Sequence, residues 1–147
     1  MTTLIPSQFI KNQRYGVLST HSVSQQGYPF GSITPYIITE EGKIAIFISQ
    51  LAEHTHNIKA NPKVSLTIFD PADCSAPNAA PRITCLANAQ LAKDEKQLRT
   101  AYLNHFPDSA IILDLPDFQF YILKPIKIRL IAGFGKVKWL TPTQLSL

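Results

Sequence analysis

The sequence predicts a small, mainly β protein: a barrel of six or seven mostly antiparallel strands with two or three peripheral helices. Three observations lead there. Short stretches rich in Val, Ile, Thr and aromatic residues alternate with polar ones and are separated by Gly, Pro, Asn and Asp, the pattern of half-buried strands. Helical periodicity occurs only as isolated inserts, so the regular strand–helix alternation of a doubly wound parallel sheet is absent. A sheet closed on itself also leaves no long unpaired edge in so β-rich a chain.

The elements follow in order. Residues 1–14 read as an N-terminal helical segment with Pro6 in its first turn. YGVLSTH (Tyr15–His21) is a strand, followed by the polar turn SVSQQG. The next run, YPFGSITPYIIT, is extended but punctuated by Pro29, Gly31 and Pro35, which places it at an edge or on a bulge. EEGK (Glu40–Lys43) is a hairpin turn into KIAIFIS. In SQLAEHTHNIKANPKVSL (Ser49–Leu66), Leu51, Thr55 and Ile58 share one face of a short helix, with His54 beside it. KVSLTIF (Lys63–Phe69) then alternates as a strand. Residues 70–81, DPADCSAPNAAP, form a long loop with little to bury, expected to be mobile. RITCLANAQLAK is another strand, and KDEKQLRTAYLNHF a helix with Leu98, Ala101, Tyr102 and His105 along one face. DFQFYILK and IKIRLIAGFGKVKWL complete the reading as two strands.

A length of 147 residues fits one domain, 1–147, and 45% hydrophobic against 16% charged residues marks it as globular rather than disordered. No apolar run approaches the ~18 residues of a membrane span. The opening MTTLIPSQFIKNQR lacks a basic-then-apolar signal pattern, so a cytoplasmic protein without membrane contact is expected. The net charge of +4 comes without a dense Lys/Arg cluster, which argues against nucleic acid and suits a small anionic ligand. Cys74 and Cys85 are the only cysteines and form no CxxC pair, so neither a disulfide framework nor a zinc knuckle is expected.

Several chemistries are excluded by spacing. His54 and His56, two residues apart on a helix, point about 200° from each other and cannot chelate one metal ion. No GxSxG elbow or HExxH helix is present, and Cys85 lies mid-strand as an inert thiol. Gly133-Phe134-Gly135 is only a GxG fragment within a strand, where glycines mark a bulge or a close backbone approach. What remains is the point where a strand hands over to the helix. There the Ser49 hydroxyl can cap backbone N–H groups or share them with an anion, with His54, Thr55 and His56 in the first turns. The alternative stays open: Ser49 as a simple cap, His54 packed and His56 solvated.

Taken together, YGVLST, GYPFGSITPY, ISQLAEHTHNIKANPKVSL, PRIT, DFQFYIL and AGFGKVKWL resemble, in order and spacing, the FMN-binding split-barrel superfamily of pyridoxamine 5′-phosphate oxidase-like proteins. Within it the sequence is most similar to the haem-utilisation (HugZ-type) and CREG-like branch. The resemblance implies a split β-barrel and a homodimer with flavin sites between subunits. Gly31, Ser32, Ile33 and Thr34 would run beside the isoalloxazine ring. Ser49, Gln50, His54, Thr55 and His56 would face the polar edge and phosphate. The branch reads HTRN where this chain reads HTHN, so His56 stands in for an arginine, and FMN should bind more tightly below the histidine pKa of ~6.5. The oxidase proper needs a C-terminal arginine-containing segment for its pyridoxal phosphate substrate, which the sequence lacks. Haem-degrading members add a C-terminal domain supplying a histidine to haem iron. The sequence ends at Leu147, so haem is expected only without that ligand. The implied function is a dimeric FMN-dependent oxidoreductase on a small or haem-like substrate. The alternative is a flavin-free split barrel serving as a binding module.

Overall fold

The computed structural model describes residues 4–73, 76, 78–133 and 135–147. Among these, eight strands and five α-helices follow one another. Helix α1 (Pro6–Asn12) leads into β1 (Tyr15–His21), β2 (Pro29–Pro35), β3 (Ile37–Ile38) and β4 (Ile44–Ser49). Then come α2 (Glu53–Ala60), β5 (Lys63–Phe69), β6 (Arg82–Leu91) and α3 (Lys96–His105). A 3-10 turn (Pro107–Ser109) precedes α4 (Ala110–Leu113), β7 (Phe118–Ile131), β8 (Val137–Leu140) and α5 (Pro142–Leu145).

Every strand pairing is antiparallel, in the order β2-β1-β5-β6-β7-β4-β3, with β8 also on β7. The first and last strands of that order, β2 and β3, are separated in the chain by Tyr36 alone. Since consecutive Cα atoms are 3.8 Å apart, the sheet must curl until its two edges meet. Tyr36 turns inward at the seam, where its hydroxyl donates to the Ile10 carbonyl and ties α1 across the barrel end. At 1% exposure it is core.

Alternation fills the interior: Leu18, Leu66, Ile68, Ile83, Cys85 and Ile128 point inward and belong to one buried cluster. On the outside of β4 and the first half of β7 lies a second cluster, in which Leu98 and Tyr102 of α3 and Leu113 of α4 pack on Phe47 and Phe120. Buried on both faces, β4 (IAIFIS) is therefore apolar without alternation.

The mainly β barrel stands as expected, and the additional elements are short. Tyr36 splits one expected strand into β2 and the two-residue β3. The last expected strand is two: Gly133 and Gly135, at φ +135° and +78°, turn the chain between β7 and β8, with the Lys136 N–H donating to the Gly133 carbonyl. Conversely β7 runs unbroken through Pro125, which lacks an N–H to donate. There Leu86 pairs Lys127 but Ala87 pairs Pro125, leaving Ile126 as a bulge that absorbs the missing bond. The EEGK hairpin forms as expected, with Gly42 at φ +82°, and a Cβ there would sit 2.4 Å from the Leu147 carbonyl oxygen. Of the expected mobile loop 70–81, residues 74, 75 and 77 lie outside the described residues, as do residues 1–3 of the N-terminal segment and Phe134. No helix among the described residues is long and apolar enough to cross a membrane.

Candidate functional site

Helix α2 begins later than its sequence suggests, and that decides which of its side chains face where. Its N-cap is Ala52, which offers no side-chain oxygen; Leu51 precedes the helix at 79% exposure and packs on no face. The Ser49 hydroxyl accepts the Leu51 N–H at 3.1 Å and donates to Asp117 Oδ2 at 2.8 Å, so it closes the turn before the helix rather than capping it. The Gln50 N–H donates to the Asp117 carbonyl, and the Gln50 side-chain oxygen accepts from Lys59 Nζ at 3.1 Å.

Within HTHN the buried residues are Thr55 and Asn57. The Thr55 hydroxyl donates to the Ser49 carbonyl, and Asn57 reaches β1 and the turn that follows it. His56 points to solvent, whereas His54 is half-buried with its Nε2 shielded and unpartnered among the described residues. Burial lowers the His54 pKa below its ordinary value, disfavouring the charged imidazole. Glu53, in the first turn, accepts from the Ser24 hydroxyl at 2.7 Å. Glu53, Ser24, Tyr28 and Phe30 also help to line an open cleft of about 390 Å³, whose described walls include none of the residues expected at a flavin.

Strand β2 presents its residues alternately. Ser32 and Thr34 face the barrel, the Thr34 hydroxyl donating to the Ser32 carbonyl at 3.3 Å, while Gly31 and Ile33 face outward, Ile33 at 67% exposure. The nine expected residues thus form two groups, one on β2 and one at the β4–α2 corner.

The outward face matters more than the sequence indicates. Helices α3 and α4 cover it over β4 and the first half of β7; across β2, β1, β5, β6, the second half of β7 and β8 no helix among the described residues covers it. One row there runs Ile33, Val17, Thr67, Thr84, Arg129 and Trp139 in direct register. The Thr67 and Thr84 hydroxyls are 3.0 Å apart, and the Arg129 guanidinium carbon lies 5.1 Å from the Trp139 ring centroid. Neighbouring rows add Tyr15, Phe69, Leu86 and Lys127. No Asp or Glu stands at an outward position on these strands. Sequence reasoning passed over Arg129 because its significance depends on the Trp139 pairing, made only when the Gly133 turn folds β8 back.

A curled antiparallel sheet closed at one seam, with helices over part of its outer face, is a split β-barrel. The family profile of pyridoxamine 5′-phosphate oxidase matches residues 7–132, and the chain belongs to that family. Its relatives include the chloroplastic heme oxygenase HOZ of Arabidopsis thaliana, 38% identical over 121 residues, covering 80% of this chain and 36% of the relative. Heme oxygenase HutZ of Vibrio cholerae is 28% identical over 130 residues, 84% of this chain and 73% of the relative. Among solved structures, a heme binding protein from Mycobacterium smegmatis superposes with a TM-score of 0.84 at 23% identity, over 99% of this chain and 61% of that one. The chain therefore spans about a third of HOZ and under two thirds of the mycobacterial protein.

At the β4–α2 corner Glu53 accepts from the Ser24 hydroxyl and Asp117 from that of Ser49, which itself accepts the Leu51 N–H, while Lys59 Nζ donates to the Gln50 side chain and His56 faces solvent.

Proposed function

We propose that this chain forms a homodimer through the open part of its outer face and holds there a planar aromatic ligand of the haem or flavin class, in the service of an oxidoreductase reaction. The observation that carries this reading is the uncovered sheet face itself. On that face Ile33 is 67% and Trp139 48% exposed, and it lies beside a part covered by helices; large apolar side chains left in the open on a sheet face support an interface there. Haem chemistry is supported by the names of HOZ and HutZ, and flavin by the split-barrel resemblance. Either ligand, when bound, supplies the redox chemistry itself. The protein's part is to orient the ring system and exclude water, which accounts for a face of hydroxyls, aromatics and cations without an acid–base pair. Gly31 and Ile33 contribute to that face from β2.

The second reading is a flavin-free split barrel acting as an interaction module, favoured by the acidic β4–α2 corner. Titration of the purified chain with FMN and with haemin, followed by absorbance, together with light scattering, separates the two. The proposal expects a dimer of twice the 16.4 kDa chain mass and saturable binding of at least one ligand. A monomer, or a colourless dimer that binds neither, overturns it.

A further inference from the structure

We propose that the free edge of β8 (Val137–Leu140) is a docking site for an extended acidic segment of another protein, which adds to the sheet there as a further strand. The edge lies in the plane of the sheet at the margin of the open face, so it is available whatever ligand or second copy that face takes.

Strand β8 pairs with β7 on one side and with no strand among the described residues on the other. The Ala132 N–H donates to the Lys136 carbonyl at 2.9 Å, and the register then runs Ile131↔Val137, Leu130↔Lys138, Arg129↔Trp139 and Ile128↔Leu140. Bonded pairs alternate along an antiparallel ladder, so Lys138 and Leu140 turn their backbone groups to β7 while Val137 and Trp139 turn theirs away. Neither of the latter makes another backbone hydrogen bond among the described residues. At the two ends of the sheet order the edges are blunted: β2 begins and ends at proline, and β3 is two residues long. Strand β8 has no proline, and its Val137 and Trp139 are 46% and 48% exposed.

Charge selects the occupant. From Phe118 to Leu147 the sequence holds Lys124, Lys127, Arg129, Lys136 and Lys138 and no Asp or Glu. None of these cations is in an ion pair among the described residues. Lys136 and Lys138, both exposed, alternate with Val137 and Trp139 and lie on the opposite side of the strand. A second β8 laid antiparallel about Lys138 would set like charges opposite each other, the means by which edge lysines resist self-association. An incoming strand with acidic residues at alternate positions turns the same lysines into opposite-charge cross-strand pairs, its intervening apolar residues lying beside Val137 and Trp139. Nucleic acid is drawn by the same charge, but its phosphates only accept hydrogen bonds and leave the outward carbonyls of Val137 and Trp139 unanswered. A polypeptide edge supplies donors and acceptors both.

Trp139 is the chain's only tryptophan, so its fluorescence reports on this edge directly. The probe is a capped peptide of about ten residues alternating Glu and Val, the length of one long strand. It should change the Trp139 emission saturably, and a peptide alternating Lys and Val should not. The acidic peptide N-methylated at every valine keeps its charge but loses the donors that face β8, and should bind about tenfold more weakly or worse. Val137→Pro removes an outward N–H and leaves the ladder with β7 whole, while Lys138→Glu reverses a charge beside the edge. Each should weaken the acidic peptide about tenfold, with folding checked by circular dichroism. Should Val137→Pro misfold, the methylated peptide tests the same hydrogen bonds on the wild-type chain. Equal affinity for the methylated peptide, tighter binding of an oligothymidylate of the same length, or no response to the acidic peptide overturns the proposal.

Discussion

The Asn57 side-chain amide donates to the Thr20 hydroxyl at 3.0 Å while its oxygen accepts the Val23 N–H at 2.9 Å, so one fully buried residue of α2 fastens the end of β1 and the turn beyond it. Asn57→Ala removes both bonds and leaves the buried Thr20 hydroxyl without that donor. The expected cost is about 2–3 kcal/mol, read as a lower urea midpoint at unchanged slope. A loss below about 0.5 kcal/mol would mean that α2 is held by its apolar contacts alone.

The second core makes a sharper demand. Phe120 is fully buried, its ring centroid 4.4 Å from that of Phe47 and 5.7 Å from that of Tyr102, so it joins the sheet to α3. Phe120→Ala should destabilise the chain by about 3–5 kcal/mol and raise amide exchange in α3 more than in β5 and β6, whose core is the barrel interior. Uniform exchange across the sheet and α3 would show the two clusters to be one cooperative unit.

Much of this architecture is legible in the sequence because burial on one face imposes a period of two, as in KVSLTIF, where Val64, Leu66 and Ile68 are all buried. The apolar run IAIFIS likewise announces a strand covered on both sides. What escapes a linear reading depends on partners distant in the chain. Pro125 reads as a break, yet β7 passes it because β6 supplies a compensating register shift at Leu86/Ala87. Ser49 reads as a helix cap, yet Asp117, 68 residues away, claims its hydroxyl and the helix starts at Ala52. In HTHN the histidines attract attention for their chemistry, while the packing falls on Thr55 and Asn57.

Cys85 offers a probe of the barrel interior. It points inward from β6, and burial pushes its thiol up to about 12, so almost no thiolate forms near neutrality. In a Cys74→Ser background, a maleimide should fail to label native protein and label it fully in denaturant. Rapid native labelling at pH 7.5 would show that the β5–β6 region opens far more often than its burial implies.

The pH dependence of stability follows from two histidines that fold into places unsuited to charge. Burial lowers the pKa of His54, and burial together with the Arg14 guanidinium lowers that of His105. The Arg14 side chain donates to the His105 carbonyl and lies over the Phe106 ring, while His105 Nε2, like His54 Nε2, has no partner among the described residues. Protonation would therefore place a second cation beside Arg14 at one site and an unanswered charge at the other. In the unfolded chain both imidazoles titrate near ~6.5, but in the folded chain they resist until lower pH. Between those values the unfolded state binds more protons, so stability rises with pH. These groups contribute no such slope well above pH 6.5. They destabilise progressively as pH falls below it, and level off once the folded-state values are passed. Urea midpoints measured from pH 8 down to pH 5 should fall more steeply for the wild type than for a His54→Asn, His105→Asn double variant. The two curves should become parallel as pH approaches 8, where both histidines are nearly all neutral in either state. Parallel curves across the whole range would show that neither imidazole is held neutral by the fold.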